Sequence, residues 1–369
     1  MNIVEQRKEF YLKEKLNRES GKLNGIPLYY TFPKLGSIIK GIPKGYPILL
    51  TANSGIGKTQ SWIGIFVYNI YKIRKLHPEL DFKIKLVIAL LEDTKEMFID
   101  RLYSMLFYEM FGIVVDADEL HSRNQTPISD DILSKLDIIG KEIEIILEDC
   151  EIIDSVYNPT GLYKWAREIS NSLGKHHTKT INISDENGNV TPKTVYSHYE
   201  QNDDSIQVLM IVDNLNNLST ENQNGRLLTD RETINMWSRT YCRLQITKHW
   251  KWSIINVIQQ ASDSEKLQFD FRGNSIIEKV KPSLDGLGNS KECQRDHFLV
   301  LGVFAPNRYG ISNYSNYNIA RLKDNFRSLI ILKSNLSSTN IEIPYYFNGA
   351  CSLLRELPDP STINYDKPI

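Results

Sequence analysis

The stretch TANSGIGKTQ, residues 51–60, decides the reading of the chain. It follows the apolar run PILLT (47–51). It precedes a segment in which Trp62, Ile65, Phe66 and Ile70 recur at helical spacing. A short strand, a Gly-containing turn and a helix opening on Lys-Thr form the setting in which a loop cradles phosphate. Gly55 and Gly57 let successive backbone N–H groups face one anion. Lys58 brings charge to the outer phosphates, and the Thr59 hydroxyl offers a ligand to Mg²⁺. Ala52 stands where such loops usually open with glycine. That position only has to let the backbone leave the strand, and a small side chain suffices. The expected nucleotide-binding set is Ala52, Ser54, Gly55, Gly57, Lys58 and Thr59.

Outward from this loop, apolar strands and helices alternate. Residues 84–92 (IKLVIALLE), 150–156 (CEIIDSV), 207–213 (QVLMIVD) and 253–260 (SIINVIQQ) read as strands. Residues 93–107, 161–170 and 229–250 read as helices, the last opening with the capping pattern Thr229 to Glu232. Continuous apolar strands separated by helices predict a mostly parallel sheet covered on both faces. Beyond Asp296 the long helices stop. Residues 298–305, 317–322, 329–333 and 341–347 predict strands of a mixed or antiparallel edge.

The expected organisation is a helical arm over residues 1–24 and one α/β domain over 25–369. The arm is either a frayed terminal helix or a segment that docks on a neighbouring subunit. Residues 175–204 are polar and carry Asn187-Gly188 between two β-prone runs, which predicts an inserted surface hairpin over a disordered loop. Residues 263–295 form a long stretch with Lys266, Arg272, Lys279, Lys281 and Lys291. A loop this long inside a compact domain is functional or disordered.

Composition excludes several classes. Among 369 residues, 44 Lys and Arg stand against 45 Asp and Glu, a net charge of -1. Any basic surface must therefore be local. Four cysteines, Cys150, Cys242, Cys293 and Cys351, stand far apart and suggest neither a disulfide framework nor a zinc ribbon. The charged N-terminus has no apolar core, and no run is long enough to span a bilayer. A cytoplasmic protein is expected, in the host cytoplasm if the source is viral.

Two carboxylates complete the expected chemistry. Asp213 ends its strand and is placed to hold Mg²⁺ through water. Asn214 follows it, so a general base must come from elsewhere. Glu92 ends a strand at the same edge. Asp93 has a separate explanation, a capping box with Glu96 for the next helix. Glu92 is left as the base.

Six segments in order resemble the ATPase domain of DnaB-type replicative helicases and related phage ring helicases. They are KGYPILLTANSGIGKT (44–59), IALLEDTKEMFIDRL (88–102), VLMIVDNLNNL (208–218), SIINVIQQAS (253–262), PSLDGLGNSKECQRD (282–296) and IARLKDNFRS (319–328). The resemblance runs from about residue 25 to 358. It implies a RecA-like P-loop core in a homo-oligomeric ring, usually hexameric, with ATP between subunits and single-stranded DNA through the centre. It implies that Lys58 and Thr59 hold phosphate and Mg²⁺, that Glu92 polarises the attacking water and that Asp213 supports the metal. Gln260 would sense the γ-phosphate, with Gln259 one position away as the competitor. Gly288, Asn289, Ser290 and Lys291 resemble the central DNA-binding loop.

The chain departs from this pattern at its end. A Lys-x-Arg pair is expected on a late strand, its arginine acting in the neighbouring subunit's site. Here Asn325 falls at that position, leaving Arg327 as the nearest guanidinium and Lys323 or Arg321 as competitors. No primase module is recognisable, so primase and loader would be other chains. Asn-, Ile- and Lys-rich wording points to a compact phage-type protein. The leading expectation is an ATP-dependent replicative helicase. The alternatives are a RecA-like ATPase that loads or remodels nucleoprotein without unwinding, and a ring-forming binding protein with residual nucleotide affinity.

Overall fold

The computed structural model describes residues 2–123, 127–184, 190–266 and 276–366. The first helix, α1 (Ile3–Glu19), opens with a capping box in which Asn2 and Glu5 satisfy each other's backbone N–H groups. None of its residues is buried. The chain then enters the strand β1 (Pro47–Ala52), every residue of which is buried.

The remaining strands are β2 (Ile84–Leu90), β3 (Cys150–Ile153), β4 (Gly174–Ser184), β5 (Val190–Gln201), β6 (Gln207–Asp213), β7 (Ser253–Gln259), β8 (Leu299–Phe304), β9 (Phe326–Ser334), β10 (Ile341–Asn348) and β11 (Leu353–Glu356). Among the described residues, nine of them form one sheet in the order β11-β10-β9-β8-β1-β7-β6-β2-β3. From β8 through β3 every pairing is parallel, whereas β9, β10 and β11 add antiparallel. The fold is therefore α/β, RecA-like, with an antiparallel C-terminal edge.

Alternation along the central strands sorts side chains between two cores. Leu86, Ile88 and Leu90 of β2 face one cluster, and Val87 and Ala89 the other. The first face is covered by α2 (Lys58–Trp62), a π-helical turn (Ile63–Val67), α3 (Tyr68–Leu76), α4 (Lys95–Phe111) and α5 (Asp130–Leu147). The second is covered by α6 (Pro159–Leu173) and by α7 (Asp230–Asn235), which runs on as π-helix over Met236–Thr247. Thr229 and Glu232 form the capping box of α7.

Two details differ from the sequence expectation. Residues 317–322 are not a strand of the sheet. Tyr317–Asn318 pairs only with Asn313–Tyr314, and Ile319–Leu322 is a helical turn capped by Asn318. Helix α5 and strand β11 went unread. α5 lies between two loops of mixed composition, and β11 holds only four residues.

β4 and β5 pair with each other in a separate antiparallel hairpin that stands off the sheet. The Asn187-Gly188 turn lies outside the described residues.

Candidate nucleotide and nucleic-acid site

The parallel strands end at one edge, and their C-terminal ends carry the candidate residues, where open α/β sheets bind ligands. β1 delivers the loop from Asn53 to Gly57. Gly55 and Gly57 adopt left-handed φ of +68° and +97°. A Cβ on Gly57 would lie 2.6 Å from Phe347 Cζ on β10, so both conformation and space require glycine there. Lys58 opens α2 and is buried.

The Thr59 hydroxyl donates to Asp213 Oδ2 at 2.7 Å, and Trp62 Nε1 donates to the same oxygen at 2.7 Å. Asp213 is only 2% exposed, and its Oδ1 is buried without a hydrogen-bond partner. Burial pushes the Asp213 carboxyl above the usual range, and the nearby Glu92 and Asp93 push it further. An orphaned carboxylate oxygen beside a phosphate loop and a threonine hydroxyl fits Mg²⁺. Thr59 can ligate the ion directly, and Asp213 Oδ1 can receive one of its waters.

Glu92 lies just beyond β2 and is exposed at the same edge. Its Oε2 accepts from Asn214 Nδ2 at 2.7 Å, which orients the carboxylate. Asp93 does not cap α4. Thr94 is the N-cap, its hydroxyl accepting from Met97 N, because the extended backbone runs one residue further than the pattern implied. Asp93 instead takes Arg101, with Nη2 at 2.8 Å and Nε at 3.2 Å.

The structure separates Gln260 from Gln259. Gln260 is 2% exposed. Its Nε2 donates to Thr51 Oγ1 at 3.0 Å, immediately before the phosphate loop, and to Ser283 O at 3.1 Å. Ala261 N donates to Gly286 O at 2.7 Å. One buried amide thus joins the end of β1 to the turn that carries Gly288, Asn289, Ser290 and Lys291. Gly288 has φ +56°, and Lys291 reaches Asp285 Oδ1 at 3.1 Å from an exposed position.

The expectation for Arg327 requires correction. It is 2% exposed and keeps its donors at home. Nε donates to Ile56 O at 3.0 Å, and Nη1 to Asp324 O at 2.6 Å and Phe326 O at 2.9 Å. Its guanidinium lies 4.7 Å from the Phe347 ring centroid. Strand β9 begins at Phe326 and turns Arg327 under its own phosphate loop, not outward. Lys323 and Arg321 precede the strand on exposed turns, Arg321 paired with Asp366.

Two contacts were missed. Arg308 donates to the Ser54 carbonyl, and Asn53 donates to the Tyr309 hydroxyl. Both come from the turn Pro306–Tyr309 after β8. β8 neighbours β1, so its C-terminal end must lie beside the loop. That adjacency was the available signal.

Sheet order, glycine geometry and the Thr59–Asp213 pair define a RecA-like P-loop fold of the helicase-associated ATPase type. The chain is similar in structure to a solved helicase ATPase domain, with a TM-score of 0.66 at 15% identity over 97% of this chain and 100% of that one. It is also similar to a DnaB-like replicative helicase whose structure includes interactions with primase, with a TM-score of 0.64 at 16% identity over 97% of this chain and 67% of that one. No protein-family model matches the chain. No curated protein matches it in sequence. Among the described residues, no helix is long and apolar enough to cross a membrane.

Proposed function

We propose that this chain is an ATP-dependent replicative DNA helicase that translocates on single-stranded DNA as a homo-oligomeric ring, hexameric, with primase and loader as separate chains. The host or cell cytoplasm is its setting. The observation that carries this reading is the buried path from Thr51 through Gln260 to Ser283, which couples a phosphate loop to an exposed Gly- and Lys-containing turn.

Each residue then has a task. Backbone N–H groups of Gly55 to Lys58 receive the phosphates, and Lys58 neutralises them. Thr59 and Asp213 hold Mg²⁺, which supplies charge stabilisation on the phosphates when bound. Glu92, oriented by Asn214, accepts a proton from the attacking water. Gln260 shifts with the occupancy of the loop and carries that shift to residues 283–291. There, backbone N–H groups and Lys291 meet phosphates without regard to sequence. Lys323 reaches the site of the next subunit.

Helix α1 supports the ring. Ile3, Val4, Tyr11 and Leu12 are more than half exposed, an apolar surface with no cover within the chain. A second copy of the domain is the occupant this reading assigns to it.

The test is unwinding of a forked duplex by the full chain with ATP and Mg²⁺. Strand separation that disappears in Lys58→Ala supports the reading. DNA-stimulated turnover without strand separation would instead indicate a loader or remodelling ATPase.

A further inference from the structure

The inserted hairpin carries a cluster that the nucleotide chemistry does not use. His177 on β4 lies directly across from His198 on β5, and Glu200 follows two residues along the same face. The two imidazoles stack, with centroids 4.5 Å apart and planes 6° apart. His177 Nε2 lies 2.9 Å from Glu200 Oε2. The candidate ligand atoms of all three lie within 4.8 Å of one another. Among the described residues, this is the one group of three or more His, Cys, Asp or Glu side chains so placed.

We propose that His177, His198 and Glu200 bind a divalent transition-metal ion of the Zn²⁺ class. Two imidazoles and one carboxylate suit Zn²⁺, Ni²⁺ or Cu²⁺, and are a poor set for Mg²⁺, which selects oxygen donors. A tetrahedral Zn²⁺ with bonds near 2.0–2.1 Å needs its donors roughly 3.4 Å apart. Side-chain rotation closes the present spacing to that value, because His198 and Glu200 are exposed and nothing has to be displaced from a core. The ion replaces the proton that His177 and Glu200 now share. The fourth position stays open to water.

The location gives the site a purpose. The ladder between β4 and β5 shifts register between His177 and Thr178, so backbone pairing is interrupted beside the cluster. Below that point the opposite face packs on the domain. His176 lies 5.3 Å from Trp250 by ring centroid, and the Tyr199 hydroxyl donates to Ser170 O. Beyond it, Thr178–Ser184 is exposed throughout. A metal at this joint clamps the two strands where the ladder is weakest and the anchored base gives way to the projecting arm.

The experiment is calorimetric titration of Zn²⁺ into chelator-treated, nucleotide-free full-length protein. The expected result is one site per chain, weakened by roughly tenfold or more in His177→Ala and in His198→Ala, since even partners of metal ligands matter on that scale. Co²⁺ should give visible absorption that the same variants lose. Retained ATP binding in the variants shows that the domain is folded. Absence of a micromolar site in the unaltered protein, or affinity unchanged in both histidine variants, overturns the proposal.

Discussion

The Arg327 Nε–H meets the Ile56 carbonyl at 3.0 Å, so the first turn of the antiparallel edge holds up the loop that presents Lys58. Removing that arginine strips a buried carbonyl of its donor and leaves Phe347 without its cation. Arg327→Ala should lower the unfolding free energy by roughly 1.5–3 kcal/mol, the range for hydrogen bonds to charged groups. Nucleotide affinity should fall with it. Mixing Arg327→Ala with Lys58→Ala subunits should restore no turnover, because both defects lie in the same loop. Lys323→Ala mixed with Lys58→Ala should restore some, because that defect lies across the interface. Denaturant titration and mixed-ring turnover check the two halves.

Glu92→Gln should retain ATP binding and lose roughly 10²- to 10⁴-fold in turnover, the usual scale of general-base assistance. Asp93→Asn should behave differently. It breaks the charge pair with Arg101 and should weaken folding while leaving turnover per folded chain close to normal. Comparing single-turnover rates with equilibrium unfolding separates the two carboxylates.

A Cβ at Gly286 would stand 1.8 Å from Gln260 Oε1. The amide must move, and the contacts with Thr51 and Ser283 go with it. Gly286→Ala should therefore keep basal hydrolysis and lose the response to single-stranded DNA. A variant still stimulated several-fold by DNA would remove Gln260 from the coupling path.

His297 is fully buried, and burial pushes its imidazole down to about 4. Nδ1–H donates to Cys293 O at 2.8 Å, and Nε2 accepts from Asn256 Nδ2 at 2.8 Å. The Asn256 amide cannot turn to receive a second ring proton, because Trp237 Nε1 donates to its Oδ1 at 2.9 Å. The folded pKa thus lies below the unfolded value near 6.5. The contribution is complete above pH 6.5 and is lost as pH falls toward 4, at about 1.4 kcal/mol per unit or roughly 3 kcal/mol in total. Urea unfolding between pH 7 and 4.5 should show this slope, reduced in His297→Gln.

The elements that sequence made legible are those whose role is fixed by chain-local geometry. Gly55, Gly57, Lys58 and Thr59 must fall in one turn, and apolar runs 84–92 and 207–213 must lie inside. Side-chain direction at the start of a strand is different. Whether Arg327 faces outward or inward depends on where β9 begins, and that is set by its pairing with Tyr345 across β10. The same holds for Asp93, whose partner Arg101 stands two turns along α4. Arg308 reaches the loop only because β8 lies beside β1, a relation that sheet order creates and linear spacing hides.

The most direct measurement of the central claim is steady-state ATP hydrolysis by the full chain, with and without single-stranded DNA, beside Lys58→Ala. Mg²⁺-dependent turnover that rises with single-stranded DNA and vanishes in Lys58→Ala is the predicted result. Turnover that is unaffected by Lys58→Ala, or none under any of these conditions, would contradict a DNA-coupled ATPase built on this loop.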